Sequence, residues 1–556
     1  MDLLTEQEMD ELDQAVDAIV PSLPLLSRNR DVALIHLLRF HEAYMVGNAS
    51  TPNRGERDNA TGHAMDGMNN AVQWIFQYCP VNQSAPTLTF DEQAYLDAEK
   101  LHRAAIEYSM VWDLMSLMRR GHICGSKEDD KTVRLTFSSK LDREMSMATA
   151  VIAAPYGPVL SEPLVTPAVN QDILNSVRIQ ELEPQFNYQV PDDLFDRLYE
   201  RTHRMTAEPW EMNPDWDLGG YTIAQLRKLR VTIDTLCVIH GQISRGLGDP
   251  RKILGSIIKC LSRNIWERIL TKRSRLPREV VTTILSDLIY DQTLYGAGKK
   301  AHVTFHPIFP LGSNTLAMSN WLIHVSNMER NVWDLVSIKR PQLHSRLRNL
   351  KEASWIKDLQ QKTEPLGLKV YPTIKFKFNG QSSDLDALII DSSSHFGLVC
   401  QLKWLTQPGR ISSVFYNDNE IKKGIKQAQL ALGWVRSNPA QLSQRMGLSQ
   451  EDMNQYEFQP MVLCKNTLAS GFLREPGVPV INERLFDWVT NDPHHQDLKT
   501  LWHVGEHLTY VPKLGKHFDT IDASVEFAGI TFKLDGVAFA PKEPWSPAKD
   551  IELPLS

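Results

Sequence analysis

Two neighbouring segments of this chain carry polar side chains in an otherwise apolar, strand-like setting. The first covers 384–390 and contains Asp384 and Asp386, and the second covers 398–403 and contains Gln401 and Lys403. Side chains alternate between the two faces of a strand, so each of these pairs shares one face. Buried strands seldom carry a carboxylate or an ammonium group, because an unpaired buried charge is costly. We therefore expect Asp386, Gln401 and Lys403 to converge where the two strands lie side by side.

These three side chains could bind a hard cation and act on water. A carboxylate and an amide carbonyl supply the oxygen ligands that Mg²⁺ takes in proteins, where the ion usually keeps several waters. A lysine beside the cation can orient or deprotonate a metal-bound water. The structural alternative is an internal ion pair between Asp386 and Lys403, with Gln401 hydrogen-bonded within the sheet.

The surrounding sequence predicts the elements that would position this constellation. Apolar periodicity predicts a helix over 352–366, strands over 370–378, 385–390 and 398–403, a helix over 417–436 and a strand over 460–464. A further short strand running into a helix is predicted over 478–489. Strands that alternate with helices in this way indicate an α/β domain with a flanked sheet.

The two polar segments and the order of these elements resemble the PD-(D/E)xK nuclease superfamily. The stretch around Asp384 and Asp386 is similar to the acidic strand of that superfamily, and Gln401-Leu402-Lys403 is similar to its [EQ]-x-K strand. Position 401 is Gln where the commonest form has Glu, and this variant resembles the Mrr-type restriction nucleases. The resemblance covers about 345–490 and implies a restriction-endonuclease-like mixed sheet flanked by helices.

The resemblance also implies roles for individual residues. Asp386, Gln401 and the Leu402 backbone carbonyl would hold Mg²⁺ or Mn²⁺, and Lys403 would position the attacking water. The preceding helix would supply a further acidic residue, for which Glu352 matches better than Glu364 at the predicted helix end.

The helix after the Q-x-K strand resembles the superfamily's helix with a site-facing Gln or Lys. Lys423 and Gln427 are four residues apart there and share one face of that helix.

Positive charge is concentrated in the middle of the chain. The protein has 556 residues and a formal net charge of −7, which excludes a wholly basic nucleic-acid coat. Between 225 and 278, however, thirteen basic side chains stand against three acidic ones, a local excess of ten positive charges. Such a run is either a set of solvated helix faces or a surface that neutralises phosphates. We expect Lys272, Arg273 and Arg275 to contribute to a DNA-binding surface.

Length and composition predict a multidomain protein. We expect a helical N-terminal domain at 1–155, a mainly helical middle domain at 170–340, the nuclease-like domain at 345–490 and a β-rich tail at 491–556. The stretch 48–64, rich in Asn, Thr, Gly and charge, is expected to form a loop. The six cysteines show no C-x-x-C spacing and are expected to be reduced, mostly buried thiols. The acidic start of the chain and the lack of a long apolar run predict a cytoplasmic protein without a membrane span.

The leading function is therefore Mg²⁺-dependent endonucleolytic cleavage of DNA, in restriction, anti-phage defence or repair. Two alternatives remain open at this point. One is a catalytically inactive nuclease fold that binds nucleic acid or serves in assembly. The other is a helical scaffold that recognises proteins, and the N-terminal helical region leaves room for a protein partner or a homo-oligomer.

Overall fold

A computed structural model provides the architecture of the protein. It describes residues 3–49, 54–81, 88–138, 166–182, 185–205, 212–294, 302–326, 328–405, 411–468, 473, 475–491, 497–507, 515–516 and 518–541. The chain is mostly helical, with mixed sheets and a helical N-terminal region, as the sequence predicts. The boundary predicted at 155 lies outside the described residues.

Helices dominate the N-terminal region. Thr5 caps the first of them with a capping box, because its side chain accepts a hydrogen bond from the Glu8 amide and the Glu8 carboxylate accepts one from the Thr5 amide. The elements of this region are α1 (Glu6–Ile19), α2 (Arg30–Ala49), α3 (Arg54–Tyr78), α4 (Glu92–Arg119), β1 (Ile123–Asp129) and β2 (Thr132–Phe137).

The part of the stretch 48–64 from residue 54 onward is helical and not the predicted loop, while 50–53 lie outside the described residues. Helix α3 covers most of it, because tertiary packing against α4 outweighs the low helix propensity of its Gly and Asn residues. The contact is so close that a Cβ on Gly67 would lie 2.9 Å from the backbone nitrogen of Ile106. Glycine at this position therefore lets the two helices approach each other.

The middle region is also mainly helical, and it shares an apolar core with the N-terminal region. Phe309 and Leu322 pack in the same buried cluster as Leu34 and Leu101. The elements of the middle region are α5 (Pro167–Ser176), β3 (Arg178–Leu182), β4 (Gln185–Gln189), α6 (Asp192–Met205), α7 (Ile223–Arg245), α8 (Pro250–Ser256), β5 (Lys259–Ser262), α9 (Arg263–Ser274), α10 (Arg278–Leu288), β6 (Ile308–Leu311), β7 (Thr315–Met318), α11 (Asn320–Val325) and α12 (Met328–Lys339).

A five-stranded mixed sheet forms the centre of the C-terminal region. The elements in chain order are α13 (Pro341–Thr363), β8 (Leu368–Phe378), β9 (Gln381–Asp391), β10 (Phe396–Trp404), α14 (Ile411–Ser437), α15 (Pro439–Met446), α16 (Gln450–Met453), β11 (Glu457–Lys465), β12 (Val480–Asn482), α17 (Glu483–Asn491) and α18 (Leu498–His507). The predicted helices and strands follow each other in the predicted order, whereas α15, α16 and α18 were not predicted. The strand order is β12-β11-β10-β9-β8. β8, β9 and β10 are antiparallel neighbours, whereas β10, β11 and β12 run parallel.

Each face of this sheet is covered by helices. On one face, Trp355 and Leu359 of α13 share an apolar cluster with Leu398 of β10. On the other face, Ala431 and Trp434 of α14 pack on the alternate residues of the strands. Cys400 and Leu402 belong to the same cluster as Leu398, on the α13 side. Gln401 and Lys403 alternate with them along the strand and therefore lie on the α14 side of β10.

The β-rich tail completes a sheet with the N-terminal region. Strands β13 (Phe518–Phe527) and β14 (Ile530–Pro541) form a hairpin, and β14 pairs with β2 in parallel. The resulting strand order is β1-β2-β14-β13. Residues far apart in the sequence therefore share this sheet.

Two simpler expectations concern cysteines and membranes. All six cysteines are free thiols, and all except Cys124 are buried, which confirms the prediction. None of the described helices combines the length and the apolar character needed to cross a lipid bilayer.

Candidate functional site

The paired polar residues lie where β9 and β10 separate. The β9–β10 ladder runs from Asp391 paired with Phe396 to Ala387 paired with Cys400. Beyond that point side chains replace the ladder bonds: the Leu402 amide donates to Asp386 Oδ2 at 2.8 Å, and Gln401 Nε2 donates to the Asp384 carbonyl at 2.8 Å. The split leaves a polar gap between the strands, with Gln401 and Leu402 beside Asp384 and Asp386. Lys403, which the sequence predicts to converge with Asp386 and Gln401, is close enough to Asp386 to act on its charge.

Gln401 presents an oxygen to this gap. Its side chain is fully buried, and its Oε1 has no hydrogen-bond partner among the residues that the structure describes. A buried amide oxygen without a partner costs on the order of 1–3 kcal/mol, so such atoms usually serve a purpose. Coordination of a cation would satisfy this atom.

A backbone oxygen faces the same gap. The N–H and C=O of one strand residue point to the same neighbouring strand. Because the Leu402 amide points to Asp386 on β9, the Leu402 carbonyl also faces the β9 side of β10. This carbonyl is the backbone ligand that the sequence resemblance implies.

Burial makes the charge of Asp386 costly. The residue is 7% exposed, and desolvation raises its pKa to about 7. The Lys403 ammonium and the hydrogen bond from the Leu402 amide oppose this rise in pKa, whereas the nearby Glu352 and Asp384 carboxylates add to it. A bound cation would favour the ionised carboxylate and remove the penalty.

Lys403 is positioned by helix α14. Its Nζ donates a hydrogen bond to Gln427 Oε1 at 2.9 Å. The helix can approach the lysine because residue 424 is glycine: a Cβ there would lie 2.7 Å from Lys403 Cε. Gln427 was predicted from the sequence to face the site, and here it orients the lysine.

Glu352 and Glu364 occupy different environments on α13 and its end. Glu352 is half-buried and close enough to Asp386 to raise the pKa of that carboxyl. Glu364 is exposed and begins the short helical turn Glu364–Leu366 after α13. Glu352 therefore lies near the gap, and Glu364 lies at the far end of the helix.

A stack of lysines and tryptophans beside the site was not predicted. Lys351 Nζ lies 4.1 Å from the ring centroid of Trp333 and 4.5 Å from that of Trp404. Lys465 Nζ lies 4.1 Å from the Trp404 centroid and 5.7 Å from the Trp355 centroid. These cation–π contacts join α12, α13, β10 and β11 next to Glu352 and Lys403. No sequence spacing could reveal them, since they link four separate elements.

The basic residues of the middle region are largely paired. Lys272 and Arg273 contact Asp192 of α6, and Arg275 contacts Asp196 of the same helix. Further ion pairs in the segment are Arg230–Asp234, Arg251–Glu92, Arg263–Glu267 and Arg278–Glu267. A phosphate at 225–278 would have to compete with these carboxylates, so the DNA-binding surface there stays a prediction.

The residues at the gap fit a hard cation by their donor chemistry. Asp386, Gln401 Oε1 and the Leu402 carbonyl are all oxygen donors, and Glu352 adds a second carboxylate nearby, which is the donor type that Mg²⁺ prefers. Within the described ranges, no group of three or more His, Cys, Asp or Glu side chains could hold a metal ion. A site here would therefore depend on the amide and backbone oxygens as well as on carboxylates.

Comparison with known proteins identifies no relative of this chain. No family model, curated protein or solved structure matches the chain.

Proposed function

We propose that this protein is a cytoplasmic metal-dependent nuclease that hydrolyses phosphodiester bonds of DNA, in restriction, anti-phage defence or repair. The observation that carries the proposal is the polar gap between β9 and β10. There a buried carboxylate with a raised pKa lies near an oriented lysine and an amide oxygen that has no hydrogen-bond partner in the described part of the chain.

The arrangement of the C-terminal elements supports the proposal. A helix, three antiparallel strands, a second helix and a parallel fourth strand follow each other as in the PD-(D/E)xK core. Asp386 lies on the second strand, and Gln401 and Lys403 lie on the third. We assign the region a restriction-endonuclease-like fold as part of the same proposal.

Each residue has a defined task in this proposal. Asp386, Gln401 Oε1 and the Leu402 carbonyl hold Mg²⁺ or Mn²⁺, with Glu352 as a nearby carboxylate. The cation, when bound, supplies electrostatic stabilisation of the charge that develops on the scissile phosphate. Lys403 Nζ orients the attacking water. Gln427 holds that amine in place through the 2.9 Å hydrogen bond.

Plasmid cleavage tests the proposal directly. Wild-type protein should cut plasmid DNA with Mg²⁺ or Mn²⁺, whereas Asp386→Ala and Lys403→Ala should lose cleavage by a factor of at least ~100. Lys377→Ala, which removes an exposed lysine from β8 of the same sheet, is the matched control and should cut normally. Absence of cleavage by the wild type, or equal cleavage by all variants, would refute the catalytic assignment.

One observation favours a non-catalytic alternative. Asp386 and Gln401 also satisfy backbone groups that the split ladder leaves open, which is a purely structural task. In that case the fold would bind nucleic acid or serve in assembly without cutting. Salt-dependent DNA binding without cleavage would identify this function.

The same binding assay tests the middle-region surface. The Arg273→Ala/Arg275→Ala double variant should lower the salt slope if these residues contact phosphates. Unchanged affinity and slope would exclude them from the DNA-binding surface.

A further inference from the structure

An exposed aromatic ring lies on the helix that orients Lys403. Tyr416 of α14 is 66% exposed, more than any other described large apolar or aromatic side chain. Tyr416, Lys423 and Gln427 are separated by seven and four residues, so they lie along one face of the helix. This face extends from Gln427, which accepts the hydrogen bond from Lys403, to the exposed ring of Tyr416.

The tyrosine is attached to a firmly held part of the helix. The neighbouring Phe415 is buried, and its ring contacts two side chains of the N-terminal region. Arg120 lies 3.6 Å from the centroid of that ring, and His122 stacks on it at 5.6 Å with an interplanar angle of 7°. Tyr416 therefore projects from an anchored turn of helix, which lowers the entropy lost when a ligand covers it.

Positive charge accompanies this face. Lys422, Lys423 and Lys426 of α14 are exposed, and Arg348 of α13 is close enough to Lys423 to act on its charge. Lys423 contacts the Glu420 carboxylate at 2.6 Å, so one acidic group is also present. Arg348 has no ion pair among the residues that the structure describes, and its charge is available to a phosphate. The surface combines cations with a flat ring, as single-strand binding surfaces do.

The spacing fits a nucleic-acid strand that enters the gap. At 1.5 Å per residue, Lys423 is about 6 Å and Tyr416 about 16 Å along the helix from Gln427. A stacked strand advances about 3.4 Å per nucleotide, and an extended one advances further. Tyr416 thus lies within a few nucleotides of a phosphate held at Lys403.

We propose that Tyr416 stacks on an unpaired base a few nucleotides from the bond that is cleaved, while Lys423 and Arg348 contact the intervening phosphates. A base inside a continuous duplex is covered by its neighbours and cannot offer its face to a side chain. The preferred substrate would therefore be nucleic acid with a single-stranded segment beside the site, such as a fork, a flap or an end. The position of the cleaved bond rests on the proposed function, whereas the stacking contact does not.

The test compares the affinity of full-length protein for three labelled DNA oligonucleotides in EDTA, so that no strand is cut. The probes are a single strand, a blunt duplex and a fork with unpaired arms. We expect Tyr416→Ala to weaken binding of the single strand and the fork roughly 5- to 150-fold, the range for one stacked base, and to leave duplex binding nearly unchanged. Tyr416→Trp should restore the lost affinity. The fluorescence of a 2-aminopurine base in the unpaired arm of the fork should be quenched by the wild type and by Tyr416→Trp, and less by Tyr416→Ala.

The matched control is Tyr78→Ala, which removes another exposed tyrosine at the end of α3. It should bind all three probes like the wild type. The inference is overturned if Tyr416→Ala binds the fork and the single strand like the wild type, even when the protein cuts plasmid. Conversely, a protein that never cuts but loses fork binding in Tyr416→Ala would refute the proposed cleavage and retain the stacking contact.

Discussion

Replacing Asp386 by asparagine should stabilise the metal-free protein, and increasingly so as the pH rises. Burial raises the pKa of this carboxyl to about 7 from a usual value of 3.8. The native state therefore binds more protons than the unfolded state between about pH 4 and pH 7, and the free energy of unfolding of the wild type falls through that window. A shift of about three units corresponds to at most about 4 kcal/mol at pH 8.

Asparagine removes this penalty and retains the local geometry. Its Oδ1 can still accept the hydrogen bond that the Leu402 amide donates to Asp386. The difference in stability between Asp386→Asn and the wild type should thus be near zero at pH 4 and grow to about 4 kcal/mol at pH 8. Hydrogen–deuterium exchange of peptides from β9 and β10, compared at equal pH, measures this difference locally.

A second buried carboxyl on the same strand provides the control. Although burial opposes the effect, hydrogen bonds from Ser393 and Ser394 lower the pKa of Asp391. Its contribution to stability is present above the unfolded pKa and is lost as the pH falls through the lower native value. Asp391→Asn should therefore destabilise the protein at neutral pH, and the loss should shrink below about pH 4.

A difference in the free energy of unfolding between Asp386→Asn and the wild type that is the same at every pH from 5 to 8 would refute the raised pKa of Asp386. Adding Mg²⁺ or Mn²⁺ at pH 8 sharpens the test. The cation should stabilise the wild type by binding the ionised carboxylate and have little effect on Asp386→Asn. Equal stabilisation of both proteins would exclude Asp386 as a ligand of the proposed metal site.

Two further predictions concern the helices on either side of the sheet. Glu352→Gln should lower plasmid cleavage about 10- to 100-fold by weakening the metal site, whereas Glu364→Gln at the exposed helix end should cut like the wild type; similar losses in both would exclude Glu352. Gly424→Ala should lower cleavage because the new Cβ would lie 2.7 Å from Lys403 Cε, and it should leave stabilisation by Mg²⁺ intact. Gly47→Ala in α2, where no atom lies within 4 Å of the new Cβ, is its control for stability and cleavage. Full activity of Gly424→Ala would show that the lysine does not need its present position.

Local patterns were sufficient to predict the strands β8 to β11 and the helices α13 and α14 of the C-terminal region. Strand alternation puts Gln401 and Lys403 on one side of β10, and helical spacing puts Lys423 and Gln427 on one face of α14. These are short-range regularities, and the observed strands β8 to β11 agree with them within a few residues. The helix over 54–64 was missed for the opposite reason, since its stability comes from contact with α4 rather than from its own residues.

The sequence by itself determined which chemistry is available and in which order the elements follow. The tertiary structure decided which of those groups lie together. Asp192 reaches Arg273 across about eighty residues, and Trp404 reaches Lys351 across about fifty, so charge counts along the chain could not reveal either partner. Gln401 illustrates the difference, because only its residue type is known from the sequence. Only the point at which β9 and β10 separate leaves its Oε1 buried and unpartnered among the described residues, because burial and pairing depend on neighbours that folding brings together.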